Sequence, residues 1–177
     1  IGASGELNAL TAAGLLGMVT SLSPFLSAPM RLQYQGHAMR NGDKLTMRGS
    51  LAPIEMNDFD IPVILIVGSA RYRDMLSFKD AGASAVYDFV DAGLPSSAVD
   101  ADLYREALPY LLSLIAQQQP DVVIAEAGAS PLEPYNGEIA KEMIRDHVRF
   151  KLLCAQDPYA VVGVQQAFQR APDLVAG

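Results

Sequence analysis

The stretch IPVILIVGSARYRD, from Ile61 to Asp74, decides the fold of this protein. Pro62 to Val67 form a run that is apolar and rich in β-branched residues, and Gly68 and Ser69 follow it directly. A short apolar run that ends at a glycine is typical of a buried strand in a parallel sheet. Nucleotide-binding folds often place a glycine-rich loop with a lysine after such a strand, to bind phosphate. Here the chain passes straight to Ala70 and a charged segment, so the expected lysine has no counterpart.

The chain after this strand alternates apolar segments of strand length with helical patterns. We predict further strands at 83–90, 121–127 and 150–155, and helices at 101–118, 137–150 and 159–169. The helix at 101–118 has one continuous apolar stripe, and Asp100 or Asp102 can cap its start. Alternation of strands and helices is the pattern of an open sheet with crossover helices. The predicted fold class is therefore α/β, with a mainly parallel sheet that carries helices on both faces.

The first 57 residues differ in character, because short apolar runs alternate there with turn residues. Asn41 and Gly42 form a two-residue hairpin signal, since both positions of such a turn favour positive φ. We predict a small β-rich unit at 1–57, a linker at 52–62 that overlaps its end, and an α/β domain at 58–177. The unit would contact a substrate or a second copy in a homo-oligomer, or, as we prefer, serve as a lid or a packing appendage.

Charge and composition exclude several classes of partner. The 177 residues carry 13 Lys and Arg against 20 Asp and Glu, which gives a net charge of −7. This balance argues against a nucleic-acid partner, because phosphate binding requires a clustered positive field. An uncharged segment at 9–30 is interrupted by glycines, prolines and hydroxyl residues, so we predict no membrane partner. The partner that we expect is a small-molecule substrate.

The remaining special residues indicate structural roles. Cys154 is the single cysteine and lies in an apolar run, which predicts a buried, inert thiol and fits a cytoplasmic protein. His37 and His147 have no partner at the spacing of a metal site or a catalytic triad, so we assign both a structural role. Seven methionines are scattered along the chain, and we expect them to fill the core.

Acidic residues lie at the ends of three of the four predicted strands. Open α/β sheets bind ligands at the carboxyl ends of their strands. Asp91 follows the predicted strand at 83–90, Glu126 lies at the end of that at 121–127, and Asp157 follows that at 150–155. A carboxylate in such a position suits a metal ion or the orientation of a nucleophile in phosphoryl transfer. Glu126 could equally cap a neighbouring helix or lie in solvent, and spacing alone does not decide between these roles.

A charged cluster lies between the first strand and the next. It contains three basic and two acidic residues, namely Arg71, Arg73, Asp74, Lys79 and Asp80. The planar guanidinium group of arginine suits phosphate or carboxylate oxygens, and a nearby aspartate can orient it. On composition alone we prefer the alternative, a solvated helix face with ion pairs.

Four segments, in this order, resemble a group of uncharacterised bacterial P-loop nucleoside-triphosphatase-like proteins. They are PVILIVGS at 62–69, ARYRDMLSFKDAGASAVYDFVDAGLPSS at 70–97, PDVVIAEAG at 120–128 and DPYAVVGVQQAF at 157–168. This group is related to the branch of dethiobiotin synthetase and the nitrogenase iron protein, and more loosely to the DUF1611 family. The resemblance extends from about Ala12 to the C-terminus, and the stretch at 72–97 is its most specific part.

The resemblance implies a phosphate-binding loop after the first strand, of which only Gly68 and Ser69 are present as cofactor-binding residues. It further implies that the rest of this loop, with its lysine, is absent between Ser69 and Ala70. The domain at 58–177 would then be incomplete at that point and at the C-terminus. A natural deletion of the loop is the alternative.

The same resemblance assigns roles to four other residues. Arg73 and Asp74 would bind the acceptor substrate, and Arg73 would also orient it for catalysis. Asp91 would be a catalytic carboxylate in a switch-like segment. Glu126 would be a catalytic residue and a ligand of magnesium. The implied cofactors are ATP and Mg²⁺.

These assignments predict an ATP- and magnesium-dependent transferase or ligase that acts on a small carboxylated metabolite. The looser resemblance implies instead an acyl transferase that acts on an amino acid and uses the same fold. A third interpretation is a non-catalytic scaffold or regulatory protein that has lost nucleotide binding.

Overall fold

The computed structural model describes residues 5–10, 16–67, 72–127, 134–155, 157–168 and 171–177. Its strands are β1 (Glu6–Ala9), β2 (Leu16–Gly17), β3 (Arg31–Gln33), β4 (Met39–Arg40), β5 (Asp43–Lys44), β6 (Val63–Val67), β7 (Val123–Glu126), β8 (Val148–Cys154) and β9 (Leu174–Ala176). Its α-helices are α1 (Tyr72–Asp80), α2 (Ala101–Gln117), α3 (Gly137–Met143) and α4 (Pro158–Phe168). Short 3₁₀ turns occur at Arg48–Ser50 and Arg145–His147.

A four-stranded parallel sheet forms the centre of the α/β part, in the order β7-β6-β8-β9. The run at 62–67 becomes β6, which pairs with β7 on one side and with β8 on the other. The predicted mixed α/β class and the parallel sheet are therefore confirmed. The predictions of strands at 121–127 and 150–155 are confirmed as β7 and β8, although β8 begins two residues before Phe150.

One face of this sheet is packed against helices. Val63 and Leu65 of β6 are buried together with Ala127 and with Ile144, which follows α3. Leu112 of α2 packs against the same cluster. The apolar stripe predicted for the helix at 101–118 therefore packs against the inward-facing residues of the central strand, as expected of an amphipathic helix.

The opposite face of the sheet is largely open. Residues paired across parallel strands share a face, so Ile64, Ile124 and Phe150 lie in one row, and Leu152 and Leu174 in the next. Ile124 is 50% exposed, Phe150 37% and Leu174 54%. The prediction of helices on both faces is therefore not met at these positions.

The predicted strand at 83–90 does not form. The structure has no regular strand there and places a turn at 88–94, where the backbone N–H groups of Asp91, Gly93 and Leu94 donate to carbonyls three to five residues earlier. Leu94 and Ala92 are buried against Ala107 of α2. The apolar residues around 83–94 thus pack as an irregular segment on α2, and the apolar run alone does not reveal this difference.

Of the two later helices, one is shorter than predicted and the other is confirmed. The predicted helix at 137–150 ends at Met143, because the 3₁₀ turn at Arg145–His147 leads directly into β8. Val148 and Phe150 then pair with β6 instead of continuing the helix. The predicted helix at 159–169 is confirmed as α4 within one residue at each end.

The N-terminal part is built of short antiparallel strands. β1 lies between β2 and β3 in one three-stranded sheet, and β4 and β5 form a separate hairpin. Asn41 and Gly42 connect β4 to β5 with φ of 53° and 90°, which confirms the predicted hairpin turn. The segment at 52–57, predicted as part of a linker, is held along α2, since the Tyr110 hydroxyl donates to the Ala52 carbonyl at 2.8 Å.

Two predictions about sulfur-containing residues are wrong. Cys154 is exposed, because it is the last residue of β8 and belongs to the open face of the sheet. Six of the seven methionines are exposed as well, at positions 18, 30, 39, 47, 56 and 143, so they do not fill the core. None of the helices in the described ranges combines the length and apolar character required to cross a membrane.

Candidate functional site

The order of the parallel strands singles out one position on the sheet. The chain runs from β6 outward to its neighbour β7, and then returns across β6 to form β8 on the other side. The direction in which strands are added therefore reverses between β6 and β8. In open α/β sheets, ligands bind in the crevice outside the carboxyl ends of the strands at such a reversal. The candidate site is thus the carboxyl edge of the sheet around β6 and its two neighbours.

Glu126 lies at this edge. It is the last residue of β7, is paired in register with Ile66 of β6, and is partly buried. The next residue, Ala127, is buried in the core on the other face. The sequence prediction that Glu126 ends a strand of the sheet is therefore confirmed, and the residue is not fully exposed to solvent.

The start of α3 packs directly against the end of β7. A Cβ atom at Gly137 would lie 3.0 Å from the Ala127 carbonyl oxygen, so glycine permits the close approach of the two elements. Asn136 precedes α3 in the left-handed conformation, with φ of 58°. Its Nδ2 donates to the carbonyls of Ser97 and Val99 at 2.8 and 2.9 Å. These bonds connect the edge of the sheet to the segment that leads into α2.

A buried lysine lies on α3, the helix that follows this edge. Lys141 is only 6% exposed, and its Nζ lies 2.6 Å from Oε1 of Glu138, one helical turn earlier. Burial of an ammonium group is costly unless it is paired, and Glu138 supplies the opposite charge. Sequence reasoning missed this pair. Its spacing is a recognised helix pairing, but burial of the lysine depends on the tertiary packing of α3.

Asp91 is not at the end of a strand. Its Oδ2 accepts a hydrogen bond from the Asp88 backbone N–H at 2.9 Å, and Oδ1 of Asp88 accepts one from the Val90 N–H at 2.7 Å. Both carboxyl groups thus stabilise the turn at 88–94. The predicted position of Asp91 at a strand end depends on a strand at 83–90, and this strand is not formed.

The structure does not describe the side chains of four other predicted site residues. Gly68, Ser69 and the junction with Ala70 lie in a part of the chain that the structure does not describe. Arg73 and Asp74 lie in the first turn of α1, but their side chains are also outside the description. The roles of these residues stay predictions.

The described residues do not by themselves supply a complete set of ligands for a metal ion. Among them, no group of three or more His, Cys, Asp or Glu side chains is arranged to hold a metal. Magnesium, however, is usually bound by one or two carboxylates together with substrate phosphates and water. Glu126 fits this smaller set of ligands. Gly68 and Ser69, the only residues of the implied phosphate-binding loop that are present in the sequence, lie outside the described residues.

Both histidines have aromatic neighbours. The His147 ring meets the Phe59 ring edge to face, with centroids 5.3 Å apart, and its Nδ1 lies 3.6 Å from Oδ1 of Asp60. His37 meets Tyr34 in a similar way at 5.5 Å. These contacts suit the structural role expected of both side chains.

A shallow depression lies at the opposite end of the sheet. It has a volume of about 490 Å³ and is lined by Glu55, Asn57, Asp58, Ala116, Gln117 and Gln119. These residues precede β6 and β7, whose amino ends are joined where the Val123 N–H donates to the Pro62 carbonyl. The depression is therefore separate from the carboxyl edge, and the sequence analysis did not anticipate it.

Comparison of the chain with known protein families, with curated proteins and with solved structures finds no match. The geometry of the sheet and its edge is therefore the basis on which a function can be argued.

Proposed function

We propose that this protein is a nucleotide-dependent transferase or ligase, with a P-loop-like fold, that acts on a small carboxylated metabolite. The observation that carries the proposal is the strand order β7-β6-β8-β9, with a partly buried glutamate at the carboxyl end of β7, one strand away from the reversal. A parallel sheet of this order supports ligand binding at that edge. The resemblance of the segments at 62–69 and 70–97 supports a nucleotide as the ligand.

The role of Glu126 rests on its place on the sheet, and the roles of the other residues rest on the sequence resemblance. Glu126 would hold a magnesium ion or orient the nucleophile, because it ends β7 beside β6. Arg73 would bind a carboxylate of the acceptor through its planar guanidinium group. Asp74 would support that arginine, and Gly68 and Ser69 would present backbone N–H groups to phosphate. Magnesium, when bound with ATP, would neutralise charge on the transferred phosphoryl group.

The proposal is tested by calorimetric titration of the chain with ATP, in the presence and in the absence of magnesium. A separate assay measures nucleotide hydrolysis under the same conditions. We expect saturable binding that depends on magnesium. The variant Glu126→Gln should lower turnover by about 100-fold or more, since a charge that stabilises the transition state is lost. Glu142→Gln, an exposed glutamate on α3, is the matched control and should behave as the wild type. Absence of any nucleotide binding by the wild-type chain would reject the proposal.

A scaffold without nucleotide chemistry is the second candidate, and the open apolar face of the sheet favours it. Surfaces of this kind often mark sites of protein association. A chain that shows no thermal shift with ATP and magnesium but associates with a protein partner would support this candidate. Transfer of an acyl group to an amino acid without magnesium would instead support the acyl transferase.

A further inference from the structure

The structure presents two apolar surfaces, of which the first is a loop in the N-terminal part. We define the apolar loop by its exposed residues Leu16, Met18, Leu22, Phe25, Leu26 and Met30. Phe25 is 95% exposed and is held at a turn in which the Leu26 N–H donates to the Ser23 carbonyl. No residue between Glu6 and Arg31 is charged. An aromatic ring this exposed within an uncharged segment is expected at a binding surface.

The second surface is the open sheet face, formed by Ile64, Ile124, Phe150, Leu152 and Leu174. Three of these five side chains are between 37% and 54% exposed. β9 lies at the edge of the same sheet, and all three of its residues are exposed. Both apolar surfaces are therefore exposed in the same molecule, and neither covers the other.

The charge of the chain is distributed unevenly between the regions that carry these surfaces. Residues 1–50 contain four basic and two acidic side chains, a net charge of +2, and residues 51–177 contain nine basic and eighteen acidic ones, a net charge of −9. The apolar loop belongs to the basic region and the open sheet face to the acidic region. Opposite charges favour contact between the two regions, whereas two acidic regions repel each other.

We propose that the apolar loop of one copy of this chain docks on the open sheet face of a second copy. Contact between two open sheet faces would bring together two regions of net charge −9, which is unfavourable. Contact between loop and face pairs an apolar surface with an apolar surface and a net positive region with a net negative one. If two copies dock reciprocally about a two-fold axis, both surfaces of both copies are covered.

The first experiment measures association of the full chain by sedimentation velocity over a wide range of protein concentration and at low and high salt. We expect the wild type to associate, and high salt to weaken the association because it screens the charges. Phe25→Asp should weaken the association at least about tenfold, as expected for loss of an aromatic anchor. Tyr159→Asp is the matched control, because Tyr159 is 88% exposed on α4 and belongs to neither surface. Circular dichroism checks that each variant is folded.

The second experiment distinguishes contact between loop and face from contact between like surfaces. Ile124→Asp disrupts the face and leaves the loop intact, whereas Phe25→Asp does the reverse. Each variant alone should be monomeric, but a mixture should form a heterodimer through the one intact loop and the one intact face. Association of either variant alone to the wild-type extent, or a mixture that stays monomeric, would overturn the proposal.

The alternative binding partner of the apolar loop is a lipid surface. Co-sedimentation with vesicles of phosphatidylcholine and phosphatidylserine tests this alternative directly. A wild-type chain that is monomeric at all concentrations and binds these vesicles through Phe25 would overturn the proposal in favour of a membrane. A chain that neither associates nor binds vesicles would overturn it as well.

Discussion

Any residue other than glycine at position 93 would destabilise the fold. The φ of Gly93 is +74°, and a Cβ atom there would lie 2.8 Å from both the Cα and the backbone N of Arg48. The turn at 88–94 therefore lies directly on the backbone of the segment that follows β5. Because backbone atoms cannot move aside as a flexible side chain can, this contact requires the absence of a side chain at residue 93.

Substitution of this glycine tests the contact. Gly93→Ala should lower the free energy of unfolding by about 1–2 kcal/mol for the left-handed backbone, and by about a further 1–3 kcal/mol for overpacking against Arg48. Gly42→Ala is the matched control, since φ is +90° there but no atom lies within 4 Å of the added Cβ. Urea unfolding measures both variants. Equal losses of stability would show that the approach to Arg48 is unimportant.

Tyr104 gives the stability of the protein a dependence on alkaline pH. Burial against the cluster of Ala92 and Leu94 raises the pKa of its hydroxyl above the ordinary value of 10.0. The folded state thus holds this proton more tightly than the unfolded state. Its contribution to stability is complete below pH 10.0 and is lost as the pH rises from there through the raised pKa.

We expect Tyr104→Phe to reduce the loss of stability above that pH. Phenylalanine keeps the ring in the cluster but has no proton to release. Tyr159→Phe, at a largely exposed position, is the control and should leave the alkaline loss unchanged. Urea midpoints measured on both sides of pH 10.0 provide the comparison. An identical pH profile for Tyr104→Phe and the wild type would contradict the expectation.

At the scale of elements, helix α2 contacts two separate parts of the chain, the central sheet and the segment at 52–57. It covers one face of the sheet and also holds the segment at 52–57 through three side chains, Tyr110, Ser113 and Gln117. Ser113 is fully buried, accepts from the Asn57 N–H at 2.7 Å and donates to the Glu55 carbonyl at 3.1 Å. One hydroxyl group therefore satisfies two backbone groups of an irregular segment.

Removal of this hydroxyl should release the segment from the helix. Ser113→Ala leaves the Asn57 N–H without its acceptor, and we expect a loss of about 1–3 kcal/mol in the free energy of unfolding. Tyr110→Phe removes a hydrogen bond of an exposed hydroxyl and should cost less. Hydrogen exchange of the Asn57 amide, measured in both variants, should accelerate only in Ser113→Ala. Unchanged exchange there would show that other contacts hold the segment.

The elements that could be predicted from the sequence are those whose local pattern agrees with their tertiary packing. The run at 62–67, the apolar stripe of α2 and the Asn41-Gly42 turn are of this kind. Asp100 also caps α2 as predicted, accepting from the N–H groups of Asp102 and Leu103. The prediction of a strand at 83–90 is wrong because the side chains of Asp88 and Asp91 accept hydrogen bonds from backbone N–H groups and stabilise a turn. Such a turn competes with strand formation.

Only part of the candidate site could be predicted from the sequence. Glu126 could be found because it ends a strongly apolar strand, and strand ends in parallel sheets lie at one edge. Asp91 was misplaced together with its strand, and Lys141 was missed because its burial depends on how α3 packs. The order of strands depends on which segments pair across long distances in the chain, and no local pattern encodes it.

At the scale of the whole molecule, Cys154 reports on the open sheet face. Phe150, Leu152 and Cys154 alternate along β8 and share that face. The thiol is exposed, so a thiol reagent should label the native chain at a rate close to that of the unfolded chain, with one label per molecule. Association of copies through this face should slow the labelling at high protein concentration. Slow labelling of a dilute native chain would contradict the exposed position of Cys154.

The central position of β6 has a consequence for synthesis of the protein. Val63 pairs with Val123 and with Val148, so the ribosome must add 60 residues after Val63 before the first partner exists and 85 residues before the second one exists. Throughout that interval the nascent chain carries the most apolar strand of its sheet with both edges unsatisfied. Non-local pairing of this kind is slow and exposes the chain to aggregation. A ribosome-associated chaperone that shields the segment at 63–67 would therefore raise the yield of folded protein.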